Sequence, residues 1–186
     1  MKFATIATAL SLLSLASAFP GGRGKAPSKY DSWFFDATYD VIATPNQVVT
    51  NTSMPAPGEP GAKGRFRYGI NVASQVICYN IELWGVTGDY QSPAKTATHI
   101  HEAVKGKSGP PRIAFPNPVG NDKYRKSRGC LKGPFKTGIV TNGVDSGDGF
   151  TLDKIIANPA GFFTDSHTKK FVPGVVRGQL SKRWGC

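Results

Sequence analysis

Arg65-Phe66-Arg67-Tyr68-Gly69-Ile70-Asn71-Val72, followed after a short break by Val76-Ile77-Cys78-Tyr79-Asn80-Ile81-Glu82-Leu83, is the passage that decides the fold class. In the first run Phe66, Tyr68 and Ile70 alternate with Arg65, Arg67 and Gly69, and the second run alternates again. Successive side chains of a strand point to opposite faces, so a period of two means one buried face and one wet face. Ser74-Gln75, between the runs, can turn the chain and make the pair a hairpin.

The same texture continues outward. Residues 33–41 mix aromatics, Thr and Val, as strands do. Residues 97–101, 112–115, 135–140, 161–168 and 174–180 read as further short strands between loops rich in Gly and Pro. One stretch, Thr151-Leu152-Asp153-Lys154-Ile155-Ile156, has a helical pattern, with Thr151 able to cap it and Asn158-Pro159 to stop it. Many short strands, little helix, 22 glycines and 14 prolines predict an all-β protein. The expected architecture is an antiparallel β-sandwich, Greek-key-like, with one short helix. No internal repeat is visible.

The chain begins like a secretory signal: Lys2, an apolar run from Ala4 to Leu15, and small residues at Ala16-Ser17-Ala18. Residues 1–18 are therefore expected to be removed and the protein to be secreted. The apolar run is too short for a membrane span, and no later stretch approaches the ~20 apolar residues one needs. Residues 19–32 form a Gly/Pro/Lys leader, 33–180 a single β-sandwich domain, and 181–186 a tail. About 168 residues after cleavage suffice for one domain with a core. Lys182-Arg183 offers a dibasic cleavage point, against the plainer reading of a basic tail. Asn51-Thr52-Ser53 is a glycosylation sequon in a polar loop.

Three cysteines in an oxidising compartment leave one odd thiol. Cys78 lies in a strand pattern and Cys130 in a glycine-flanked loop, and these two are the preferred pair. Cys186 can stay free, join two molecules in a disulfide dimer, or be lost with the tail. The formal charge is +11, and +10 once Lys2 leaves with the signal. Such a charge favours polyanions, above all anionic polysaccharide. The densest stretch, residues 105–136, holds Lys105, Lys107, Arg112, Lys123, Arg125, Lys126, Arg128 and Lys132, and its prolines and glycines make it a loop. A solubilising loop is the plain alternative. Nucleic acid is not an expected partner, because no reader motif is present.

All three histidines fall in two short motifs, Thr98-His99-Ile100-His101-Glu102 and Asp165-Ser166-His167-Thr168. On a strand His99 and His101 share a face, about 7 Å apart, while Ile100 points into the core. His167, ending another strand, can complete a three-nitrogen site, with Asp165 as fourth ligand or supporting acceptor. Such a site suits copper or zinc. Glu102 points away from His101. The alternative is that the imidazoles bond backbone groups at strand ends. Asp165, Ser166 and His167 are too close in one strand for a nucleophile–base–orienter set. The chain is therefore not expected to be an enzyme.

Several of these stretches in this order resemble the CHRD domain, the module named after chordin. They are Phe35-Asp36-Ala37-Thr38, Ala43-Thr44-Pro45-Asn46-Gln47-Val48-Val49, Gly64 to Tyr68, Ile77 to Leu83, His99-Ile100-His101, His167-Thr168 and Pro173-Gly174-Val175-Val176-Arg177-Gly178-Gln179-Leu180. The resemblance covers roughly 33–180. It departs at Glu102-Ala103-Val104, where the family usually has Gly-Pro-Ala, and at Val175-Val176, where an acidic residue is usual. It implies a β-sandwich and an extracellular binding module for a protein or anionic polysaccharide. The His-x-His-Glu strand is also similar to the copper strand of copper-zinc superoxide dismutase, so a superoxide-dismutase-like architecture is a further expectation. That enzyme needs more histidines than this chain has. Two readings therefore stand: a secreted, non-enzymatic interaction module, and a copper- or zinc-binding protein, with metal-dependent redox chemistry as its lesser form, built on His99, His101 and His167. Signal, size, charge, dibasic tail and sequon suggest a host-interacting protein of a fungus as the setting.

Overall fold

The computed structural model describes residues 35–181. The expected signal peptide, the leader, Trp33, Lys182-Arg183 and Cys186 lie outside the described residues. The hairpin read from the sequence is present: β2 (Lys63–Asn71) pairs antiparallel with β3 (Val76–Trp84), and Gln75 closes the turn at φ 51°. β1 (Ala37–Ala43) flanks β2, and β7 (Tyr124–Lys132) flanks β3 and carries the two-residue β6 (Val119–Gly120) at its edge. These five strands form the first sheet. The second runs in the order β11 (Val176–Gln179), β10 (Phe162–Ser166), β4 (Thr98–Glu102), β5 (Pro111–Phe115), again antiparallel.

The alternation of the hairpin puts Phe66, Tyr68, Ile70, Ile77, Ile81 and Leu83 between the sheets, where Ile100, Ile113, Phe115, Phe162 and Val176 meet them. Each large apolar side chain buried there contributes roughly 1.5–3 kcal/mol. Tyr68 stacks on Phe115 with ring centroids 5.3 Å apart. Its hydroxyl, 2.7 Å from Thr164 Oγ1, ties the two sheets through the core. Thr164 passes its own proton to the His99 carbonyl at 2.8 Å, so the central polar bridge ends on the strand that carries two histidines.

Some expectations are corrected. Residues 105–136 are not a loop: β5, β6 and the nine-residue β7 lie within them. The glycines around Cys130 do not break β7, because every residue from 124 to 132 pairs with β3. Cys130 therefore stands opposite Cys78 in adjacent strands, and the two form a disulfide. Residues 135–140 are not a strand; Val140–Thr141 (β8) and Val144–Asp145 (β9) make a small hairpin instead. There Asp145 organises the turn. Its carboxylate accepts the backbone N–H of Thr137, Gly138 and Gly147 at 2.7–2.9 Å and the Thr137 hydroxyl at 3.1 Å. The helix, α1 (Asp153–Ala157), starts after Leu152 with no side-chain cap, so Thr151 does not cap it. No helix among the described residues is long and apolar enough to cross a membrane.

Candidate metal centre

On the side of the second sheet turned away from the core, cross-strand register sets His99 opposite Asp165 and Asp165 opposite Arg177. In the next row His101 lies opposite Phe163, and Phe163 opposite Gln179. His167 is the first residue after β10, not its last, and its N–H is held by the Ala97 carbonyl at 2.9 Å. An antiparallel sheet of this width usually leaves its outer face wet. Here loops cover it, and the side chains of His99 and Asp165 are 1% and 5% exposed, those of His101 and His167 12% and 13%.

Three ring nitrogens converge on the one carboxylate. Asp165 Oδ1 is 3.5 Å from His99 Nδ1 and 3.3 Å from His101 Nε2, and Oδ2 is 3.1 Å from His167 Nε2. The four ligand atoms all lie within 4.8 Å of one another. The opposite nitrogen of each ring faces a backbone carbonyl: His99 Nε2 that of Thr96 at 2.6 Å, His101 Nδ1 that of Gly109 at 2.8 Å, and His167 Nδ1 that of Val172 at 2.9 Å.

A carbonyl only accepts, so each of those outer nitrogens carries the proton. In a neutral imidazole the inner nitrogen is then a lone pair. Three lone pairs aimed at an anion repel one another unless a cation sits among them. His99 Nδ1, His101 Nε2 and Asp165 Oδ1 are buried without a hydrogen-bond partner, as this argument requires. The cation can be a proton or a metal. Burial pushes His99 below the ordinary imidazole value, against the pull of Asp165. Burial also opposes charge on His167, but Asp165 and the Val172 carbonyl outweigh it and raise that group. Burial alone would raise Asp165; His101 and His167 outweigh it and hold the carboxyl well below the carboxylate range. A tetrahedral zinc with bonds near 2.0–2.1 Å has ligand–ligand edges of about 3.3–3.4 Å. The three contacts to Asp165, divided between its two oxygens, lie near that length, and the wider separations, up to 4.8 Å, would have to close toward it around an ion.

All four expected ligands are thus brought together. What sequence reasoning missed is the support: the carbonyls of Thr96, Gly109 and Val172 leave no trace in residue identity. Arg177 and Gln179 do leave one. Arg177 Nη2 donates to the carbonyls of Lys107 at 2.7 Å and Val104 at 3.3 Å, and its guanidinium lies 3.5 Å from the centre of the Phe163 ring. Gln179 Nε2 donates to the Ala103 carbonyl at 2.8 Å. Together they pin the loop that presents Gly109 to His101. Gly178 between them has no room for a side chain, since a Cβ would come within 2.7 Å of Val41 Cγ1. Glu102 turns to Arg112, which it holds at 2.7 Å, and takes no part in the cluster.

The cluster forms the floor of a pocket of about 540 Å³, walled by Val49, Pro93, Ala94, Ile139, Val172 and Pro173. Asn51 is exposed on the same rim. The basic residues scatter more than the sequence implied. Arg125 is buried, bonded to Asp122 and the Gly88 carbonyl and lying over Tyr90, so it is not a surface cation. Arg112 is engaged by Glu102 and the Ser146 carbonyl. Lys105, Lys107 and Lys123 are exposed in loops, whereas Lys126, Arg128 and Lys132 share the outer side of β7.

A two-sheet antiparallel sandwich with a buried three-histidine, one-aspartate cluster on an outer face is the class that fold and site define. The chain matches the family model of the CHRD domain over residues 39–180 and belongs to that family. No curated protein and no solved structure matches it.

Proposed function

We propose that this chain is a secreted, non-catalytic CHRD module that holds one zinc or copper ion between His99, His101, His167 and Asp165. The observation that carries the reading is the convergence of three inner ring nitrogens on one buried carboxylate. Three imidazoles whose outer nitrogens donate to carbonyls turn acceptors toward a buried carboxylate. Four ligands of N₃O type suit zinc in a tetrahedron, and copper(II) competes for the same imidazoles. The carbonyls that fix the tautomers are the outer support such ligands ordinarily have. The test is metal analysis of the mature secreted protein beside a His99→Ala, His101→Ala double variant. About one tightly held ion per chain, absent from the variant, is expected. Equal, negligible metal in both would overturn the reading and leave the cluster held by protons.

A second reading rests on the first sheet. Lys63, Arg65 and Arg67 of β2 and Lys126, Arg128 and Lys132 of β7 lie on its outward face with the carboxylates of Asp40 and Glu82. Beside Lys63, Trp84 and Tyr124 form an aromatic pair with centroids 5.7 Å apart. A flat, cationic surface with an aromatic shelf fits an extracellular anionic polysaccharide: rings stack on sugar faces, cations meet carboxylate or sulfate. Retention on an acidic polysaccharide column that weakens with salt, and survives loss of the histidines, is the expected result. Retention unchanged by Arg128→Glu and Lys132→Glu would remove this reading. The same face would present the domain to a host or matrix surface, and a glycan on Asn51 would stand in a turn beside the pocket over the second sheet.

A further inference from the structure

We infer that the pocket over the cluster admits a small organic monoanion, a carboxylate with an apolar body, as an added ligand of the bound metal. The inference deepens the metal reading and rests on it. Its first support is access. His99 and Asp165 lie beneath the surface, while His101 and His167 are the partly exposed members. All four cluster residues line the pocket, so an ion held among them would be reachable from it. Where the pocket reaches the ion, its coordination number can rise from four to five as a further ligand arrives.

The second support is charge. A divalent ion with one carboxylate leaves one positive charge, and the guanidinium of Arg177, which also lines the pocket, adds another. Arg177 gives Nη2 to two carbonyls, and the acidic group it feels is Asp165 across the strand pair, the same carboxylate the metal would claim. Among the described residues Asp165 is the one acidic residue lining the pocket. Uncompensated charge in such a place is unfavourable unless an anion enters. Chemistry of the walls supplies the rest of the ligand's description. Above the floor the surface is mostly apolar, Val49, Pro93, Ala94, Ile139, Val172 and Pro173 with the hydroxyls of Thr50, Ser92 and Ser108 and the amide of Asn51 among them, which suits a hydrocarbon chain better than a phosphate. A volume of about 540 Å³ holds a medium-chain acid.

The experiment uses the mature secreted chain loaded with cobalt(II), whose visible bands report its ligand set. Acetate, butyrate and hexanoate are titrated against those bands. Each methylene that leaves water for an apolar wall contributes about 0.8 kcal/mol, close to fourfold in affinity. Hexanoate is expected to perturb the bands saturably and to bind at least tenfold tighter than acetate. Ile139→Asp is expected to remove that preference while one cobalt per chain remains bound. Cobalt bands that no carboxylate alters, or that acetate and hexanoate alter alike, overturn the ligand inference and leave the metal reading intact. Absence of cobalt binding in the wild-type chain overturns both. Hexanoate binding by calorimetry with silent bands places the acid off the metal and also overturns the inference.

Discussion

The two outward faces of this sandwich present opposite electrostatic problems. On the first sheet, cations stand in water, and two of them share Glu82. Exposed pairs of this kind are each worth about 0–1 kcal/mol, and nothing about them demands a ligand. On the second sheet, loops have been drawn over three imidazoles and a carboxylate, removing the water that would have solvated them. Charge left in water is a surface property; the same charge under a lid must find a partner inside. That is why we propose a metal for the closed face and a loosely held polyanion for the open one.

Breaking the disulfide has the largest expected effect. Cys78–Cys130 staples the open face over a separation of 52 residues, worth about 4 kcal/mol in the chain-entropy account. Urea unfolding of a Cys78→Ala, Cys130→Ala variant should show that loss. If the faces are energetically separate, metal content should not change. Adding metal to the apo protein is next in size on the closed face: at a thousandfold excess over the dissociation constant, stability should rise by about 4 kcal/mol, less at lower excess. A His101→Ala variant should show no rise.

Asp145 comes third. It ties the turn that carries Ile139, a wall of the closed face, and backbone and hydroxyl donors overcome its burial to hold its pKa at about 2. A depressed carboxyl contributes stability above its unfolded value near 3.8, lost as pH falls toward 2, here about 2 kcal/mol. Asp145→Ala should be less stable at pH 7 by about that amount. It should also lack the wild-type decline between about pH 4 and 2 in pH-dependent unfolding.

The smallest effect on stability sharpens the comparison most. Arg128→Glu with Lys132→Glu should change unfolding free energy by no more than about 0.5 kcal/mol. It should nonetheless lower the salt that elutes the protein from an acidic polysaccharide column, with metal content untouched. A histidine variant should do the reverse. Failure of that double separation would mean that one site serves both functions.

Much of this architecture was legible because strand alternation is a local property. Phe66, Tyr68 and Ile70 announce the buried face of β2 whatever lies around them, and His99 and His101 announce a shared face of β4. The misreadings came where long-range pairing overrode local texture. Gly129 suggested a loop, yet in β7 it lies against the Tyr79 ring, where a Cβ would be 2.9 Å from its hydroxyl. Arg125 counted as a surface cation until the register of β7 turned it inward.

By itself the sequence determined the sandwich, through its spacing of two, and named four candidate ligands by residue type; it preferred the Cys78–Cys130 pair, which the register of β7 against β3 decided. Only the tertiary structure decided that the ligands meet on a covered face, because that depends on the pairing of β4 with β10 across more than sixty residues of chain. It also decided which nitrogen each imidazole turns inward. That choice is made by backbone carbonyls, which every residue has and no residue name reveals.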